Sequence, residues 1–161
     1  MEISIGATSL SKSERYKALY LSLLGLWQGE SNQIANLANT SAAISQTFGF
    51  HWIGFYLADG DTLVLGPFQG PVACTRIGFG KGVCGTAWAT KTTQLVADVD
   101  TFPGHIACSP HSRSEIVVPM LKENGEVWAV LDIDSAVLSD FDETDKEWLE
   151  KIAAALSRHS G

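Results

Sequence analysis

A chain of 161 residues, 45% hydrophobic and 18% charged, is sized for one domain with a core of its own. Its formal net charge is −7 and no basic cluster interrupts it, which argues against nucleic acid or an anionic membrane surface as a partner. No apolar run approaches a membrane span and the first residues lack the pattern of a secretory signal, so a cytoplasmic location is expected. Three cysteines in such a reducing compartment point to reactive chemistry or plain filler, not to a disulfide framework.

Residues 1–12 read as a loose segment and 13–161 as a single domain. Ser13 is placed to cap a helix running to about Leu26. Tyr16, Leu19, Tyr20, Leu23, Leu24 and Trp27 give that helix a broad apolar face. After Gly29-Glu30-Ser31-Asn32, a second helix spans about Gln33 to Phe48, and Gly49 ends it.

HWIGFYLA then alternates as a strand, with Ile53, Phe55 and Leu57 on one face and Trp52, Gly54 and Tyr56 on the other. Asp59-Gly60 signals a hairpin, Thr62 to Phe68 its return strand, and Val72 to Ile77 a third strand carrying Cys74. Val83 to Thr90 reads as a short helix and Gln94 to Ala97 as a short strand. Gly80-Lys81-Gly82-Val83-Cys84-Gly85 fits G-x-G-x-x-G, but the doubly wound alternation of a dinucleotide fold is missing. These glycines read as turns that bring backbone close to a pocket.

Asp98 to Pro119 is a loop punctuated by Pro103-Gly104 and Ser109-Pro110, and it sets Cys108 between His105 and His111. Zinc sites favour tighter spacings than this trio offers. A thiolate near an imidazolium or a helix N-terminus would be an activated nucleophile, whereas a semi-buried free cysteine would be inert.

Two apolar runs follow, Ile116 to Leu121 and Val127 to Ile133, joined by a segment containing Asn124-Gly125. With those two residues at the turn, Val117 faces Asp132 and Glu115 faces Asp134. Three carboxylates then share one face at the end of the hairpin nearest Cys108, and a bulge near Pro119 would shift this register. Such a cluster calls for a metal, an organic cation or a retained proton, unless the strand end lies in water. The last helix, capped by Asp140 or Asp142, ends near Arg158 and buries Trp148, Leu149, Ile152, Ala155 and Leu156. The fold class is α+β, with helices against a mostly antiparallel sheet of about six strands.

DVDTFPGHIACSPHSRSEIVVP, LDIDS, HWIGFYL and GKGVCGTAW together resemble the free methionine-R-sulfoxide reductases, enzymes built on a GAF domain. The resemblance covers about Lys12 to Leu156. It implies that Cys108 is catalytic, that Cys74 resolves it through a disulfide, and that Cys84 is an alternative resolver. It implies that Glu115, Asp132 and Asp134 line the substrate pocket and that Trp52 and Tyr56 form its aromatic wall. It further implies a free amino acid as substrate, thioredoxin as reductant and, often, a homodimer. No cofactor and no metal are expected, since the acids lack a calcium-loop spacing and the Cys/His spacing is poor for zinc.

The residues agree with this reading. An acid cluster suits an ammonium, backbone N–H groups near Ser114 to Ile116 are candidates for the substrate carboxylate, and an aromatic wall suits a thioether methyl. The competing expectation is a stand-alone GAF sensor of a small molecule or of redox state, which would bind without turnover. A sensor usually sits beside an output domain, for which this chain has no room.

Overall fold

The computed structural model describes residues 10–160. Residues 1–9, which hold most of the segment expected to be loose, lie outside the described residues. Helix α1 (Lys12–Trp27) starts earlier than expected, because Ser11 and not Ser13 caps it, accepting the Glu14 N–H. Ser13 Oγ instead accepts the indole N–H of Trp148, 3.2 Å away. Helix α2 (Gln33–Phe48) is capped by Asn32 and closed by Gly49 in the left-handed conformation, as its sequence requires.

Strands β1 (Trp52–Asp59) and β2 (Thr62–Gln69) form the first hairpin. The expected third strand is displaced: β3 is Arg76–Gly78, and Cys74 lies outside it. The segment before β3 is held otherwise. The Cys74 carbonyl accepts the Tyr56 hydroxyl at 2.9 Å, and Cys74 Sγ is bonded to Cys108. Helix α3 (Gly82–Thr90), strand β4 (Gln94–Val96) and a 3₁₀ turn at Val99–Thr101 lead into the cysteine loop. Strands β5 (Ser114–Leu121) and β6 (Val127–Ser135) and helix α4 (Glu143–Ser160) complete the fold. Asp142 caps α4, accepting the N–H groups of Thr144 and Asp145.

The six strands form one antiparallel sheet in the order β3-β2-β1-β6-β5-β4. Period-two alternation gives it two apolar faces. Ile53, Phe55, Ile116, Val118, Leu131 and Ile133 pack on one side with Leu19, Leu23, Leu37, Ile44, Leu149 and Ile152 of α1, α2 and α4. Buried Asp145 ties α1 to α4 by accepting from Tyr16 Oη at 2.6 Å and Lys12 Nζ at 2.8 Å. On the other side Trp52, Tyr56, Val117 and Val130 pack with Val83, Cys84 and Ala87 of α3. That second face carries the site.

Two irregularities in the β5–β6 hairpin cancel. The turn is a three-residue loop, Glu123 to Gly125, closed by Lys122 N–H to the Glu126 carbonyl at 2.8 Å, with Gly125 at φ 85°. This moves the strand ends one residue from the two-residue turn read in the sequence. Leu121 pairs with Val127 but Met120 pairs with Ala129, so Trp128 is an extra residue that restores the register. From there inward Val117 faces Asp132 and Glu115 faces Asp134, as expected. The shift lies at Met120/Leu121, next to Pro119.

Among the described residues no helix is long and apolar enough to cross a membrane.

Candidate active site

Four elements converge on the second sheet face. Strands β5 and β6 present Glu115, Asp132 and Asp134, strand β1 presents Trp52 and Tyr56, and α3 presents Cys84 from its first turn. The cysteine loop closes over them. A cavity of about 40 Å³ lies between, and all of these residues line it together with His105, Ile106 and Cys108. Of the residues expected at the site, only Cys74 and Ile116 stand apart from the lining. Cys74 is the disulfide partner of Cys108, with Cα atoms 5.4 Å apart. The Ile116 side chain points to the other sheet face, into the core under the helices.

The wall is fixed at its polar tips. Trp52 and Tyr56 stack with ring centroids 5.9 Å apart, and Phe68 backs Trp52 at 5.2 Å. Trp52 Nε1 donates to the Pro71 carbonyl at 3.1 Å, as the Tyr56 hydroxyl does to that of Cys74. Gly54 permits this arrangement. A Cβ there would lie 2.4 Å from Phe68 Cβ and 2.7 Å from Trp52 Cη2. Gly85 does the same for α3, since a Cβ would meet the Gly78 carbonyl oxygen at 2.5 Å.

The acids are buried and mutually repelling. Glu115 and Asp132 are each 5% exposed, and Asp134 is half-buried. Burial first, then the charges of Asp132 and Asp134, drives the Glu115 carboxyl well above the ordinary carboxylate range. Burial and then Asp132 do the same to Asp134, and burial raises Asp132. Carboxyls raised together in this way favour a proton kept within the trio. Among the described residues, Asp132 Oδ1 is a buried polar atom with no partner. A buried orphan acceptor beside a cavity is a seat for a donor.

Cys84 Sγ and one oxygen each of Glu115 and Asp132 lie within 4.8 Å of one another, and among the described residues these three are the set that could hold a metal ion. Burial and then the neighbouring acids push the Cys84 thiol well above its ordinary range, which keeps it protonated. The loop trio His105, Cys108 and His111 is not a ligand set here. Cys108 Sγ is bonded to Cys74, His105 Nε2 lies 3.9 Å from Glu115 Oε1, and the His111 ring sits edge-on to that of His51.

Sequence reasoning missed Lys81, Ser109 and Ser112, which also line the cavity. Lys81 is the residue before α3, whose N-terminus no side chain caps. A glycine-flanked lysine followed by an uncapped helix start was the available signal, and it was legible only as a turn.

A family model described as "GAF domain" matches residues 34–159. The chain is 46% identical over 160 residues to the free methionine-R-sulfoxide reductase of Saccharomyces cerevisiae, covering 94% of this chain and 89% of that one. It is 46% identical over 150 residues to the enzyme of the same name in Escherichia coli, covering 92% and 90%. The X-ray structure of free methionine-R-sulfoxide reductase from Neisseria meningitidis in complex with its substrate superposes with a TM-score of 0.93 at 47% identity, covering 98% of this chain and 95% of that one. Sequence agrees with these relatives, and the fold with the solved structure, along nearly the whole chain, and the protein therefore belongs to the GAF-domain family of free methionine-R-sulfoxide reductases.

Proposed function

We propose that this chain reduces the R sulfoxide of free methionine. The observation that carries the reading is the Cys74–Cys108 disulfide at the edge of a cavity lined by three buried acids and an aromatic wall. The disulfide-bonded state is the one left after a turnover.

In the reduced enzyme the substrate ammonium donates to the acid trio, with Asp132 Oδ1 as one acceptor. Its carboxylate meets Lys81 and the open N-terminus of α3, where the helix dipole and free N–H groups favour an anion. The methyl group rests on Trp52 and Tyr56. Cys108 thiolate attacks the sulfoxide sulfur, and a protonated acid of the trio donates to the sulfoxide oxygen. Methionine leaves and Cys108 carries the oxygen as sulfenic acid. Cys74 thiol displaces that oxygen as water and forms the disulfide, which thioredoxin reduces by exchange. One sulfoxide and two thiols thus give one sulfide, one disulfide and one water. The three acids fix the amine, so only one face of the sulfur meets Cys108, which is the source of the R preference.

The test is methionine release from the separated R and S sulfoxides with dithiothreitol or thioredoxin present. Release from the R form alone is expected. Binding of the R form with no methionine produced would overturn the reading in favour of a sensor.

A further inference from the structure

A disulfide has two sulfurs, and the cycle proposed above does not say which one the reductant attacks. The geometry points to Cys74 Sγ as the entry atom, with Cys108 as the leaving thiolate; this rests on the disulfide cycle of the proposed activity.

Thiol exchange displaces one sulfur along the S–S axis, so the attacking thiolate approaches its target from the side opposite the leaving sulfur. Cys108 lines the cavity and Cys74 does not. Cys108 therefore faces a cavity of about 40 Å³, too small to admit a protein. That space is also faced by Glu115, Asp132 and Asp134, whose negative charge opposes an incoming thiolate. Cys74 stands apart from that lining and, like Cys108, is half-buried. Around Cys74 the chain is open: Val72 is 89% exposed, and Thr75 and Arg76 are both exposed. Exposed apolar surface beside the bond suits a protein dithiol of the thioredoxin kind, and exposed Arg76 favours its thiolate.

The balance is simple. The reductant thiolate bonds to Cys74 Sγ while the Cys74–Cys108 bond breaks and its electron pair goes to Cys108. The second reductant thiol then attacks its own partner sulfur in the mixed disulfide, which releases Cys74 as a thiol. The reductant loses two electrons. The order has a consequence for turnover, since the first exchange already frees the nucleophile inside the substrate cavity. Cys84 stays out of the exchange, being buried and protonated.

The experiment uses the full chain oxidised with diamide, so that the bond forms independently of any sulfoxide. It is mixed with a thioredoxin whose second active-site cysteine is replaced by serine, quenched in acid, alkylated and mapped by mass spectrometry. The expected adduct is on Cys74, with Cys108 alkylated; an adduct on Cys108 overturns the assignment. A second arm varies charge at exposed Thr75. Thr75→Glu should slow reduction of the disulfide by thioredoxin several-fold and Thr75→Lys should speed it, while a single turnover of methionine-R-sulfoxide by the reduced protein is unchanged. Equal reduction rates in both variants would also overturn the assignment. If the sulfoxide never generates the disulfide that diamide does, the proposed activity fails, and the adduct map still decides which sulfur is attacked.

Discussion

Glu115 and Asp134 face each other across the β5–β6 pair on the sheet face that lines the cavity, with Asp132 two residues along the same strand. Like charges directly opposite one another destabilise a sheet. Burial raises these carboxyls, which favours a retained proton, and in the proposed function a substrate ammonium takes that proton's place.

Substrate binding should release protons. An ammonium favours ionised acids, and the empty trio favours a retained proton because its carboxyls titrate above the ordinary range. KM for methionine-R-sulfoxide should therefore fall as pH rises. The maximal rate should fall over the same interval, because the proton donor is being lost. Initial rates across pH measure both. Calorimetry in two buffers of different ionisation enthalpy counts the protons, and a KM that rises with pH would refute the ammonium seat.

The acids should also shape stability without substrate. Their pKa values are raised on folding, so between the ordinary carboxylate range and the raised one the folded chain binds more protons than the unfolded chain. Stability is then full below the ordinary range and falls as pH rises through the raised one. Asp134→Asn removes one member of the repelling group. The variant should melt higher than the parent at neutral pH, with the difference shrinking toward pH 4. For a chain of this size each kcal/mol appears as about 2–4 °C. Thermal melts of the ligand-free protein across pH measure this, together with the loss of activity expected of a stabilised site.

Cys108→Ser should reduce methionine production from the R sulfoxide to background. Cys74→Ser should separate the steps: close to one methionine per chain is released in a burst, and thioredoxin-supported turnover then stalls for want of a disulfide. Rapid-quench chromatography of methionine distinguishes the two. Sustained thioredoxin-dependent turnover in Cys74→Ser would remove Cys74 from the cycle.

Gly54→Ala tests the packing of the wall. Its Cβ would lie 2.4 Å from Phe68 Cβ, which is part of a packed stack. Overpacking of this kind costs about 1–3 kcal/mol. A lowered melting temperature with a raised KM is expected, and equilibrium denaturation with steady-state kinetics reads both.

The elements were legible where one physical signal dominated. Gln33–Phe48 shows a 3.6-residue period and a glycine stop, and its observed bounds match the reading. The pairing of Glu115 with Asp134 followed from alternation on two apolar strands, although the turn and the bulge each depart from the simple hairpin and happen to offset. The segment around Cys74 was misread because alternation in six residues cannot report a disulfide thirty-four residues away, nor a tyrosine hydroxyl that claims the carbonyl. Lys81, Ser109 and Ser112 were missed because loop residues carry no period, and only the closed fold brings them to one cavity.

The bonds from Trp52 to the Pro71 carbonyl and from Tyr56 to the Cys74 carbonyl have a further implication. The surface proposed to sense the thioether also anchors the segment that bears the recycling sulfur. A substitution that widened the wall for a bulkier sulfoxide would loosen that anchor as well, so breadth of substrate and speed of regeneration are mechanically geared and would drift together as the sequence diverged.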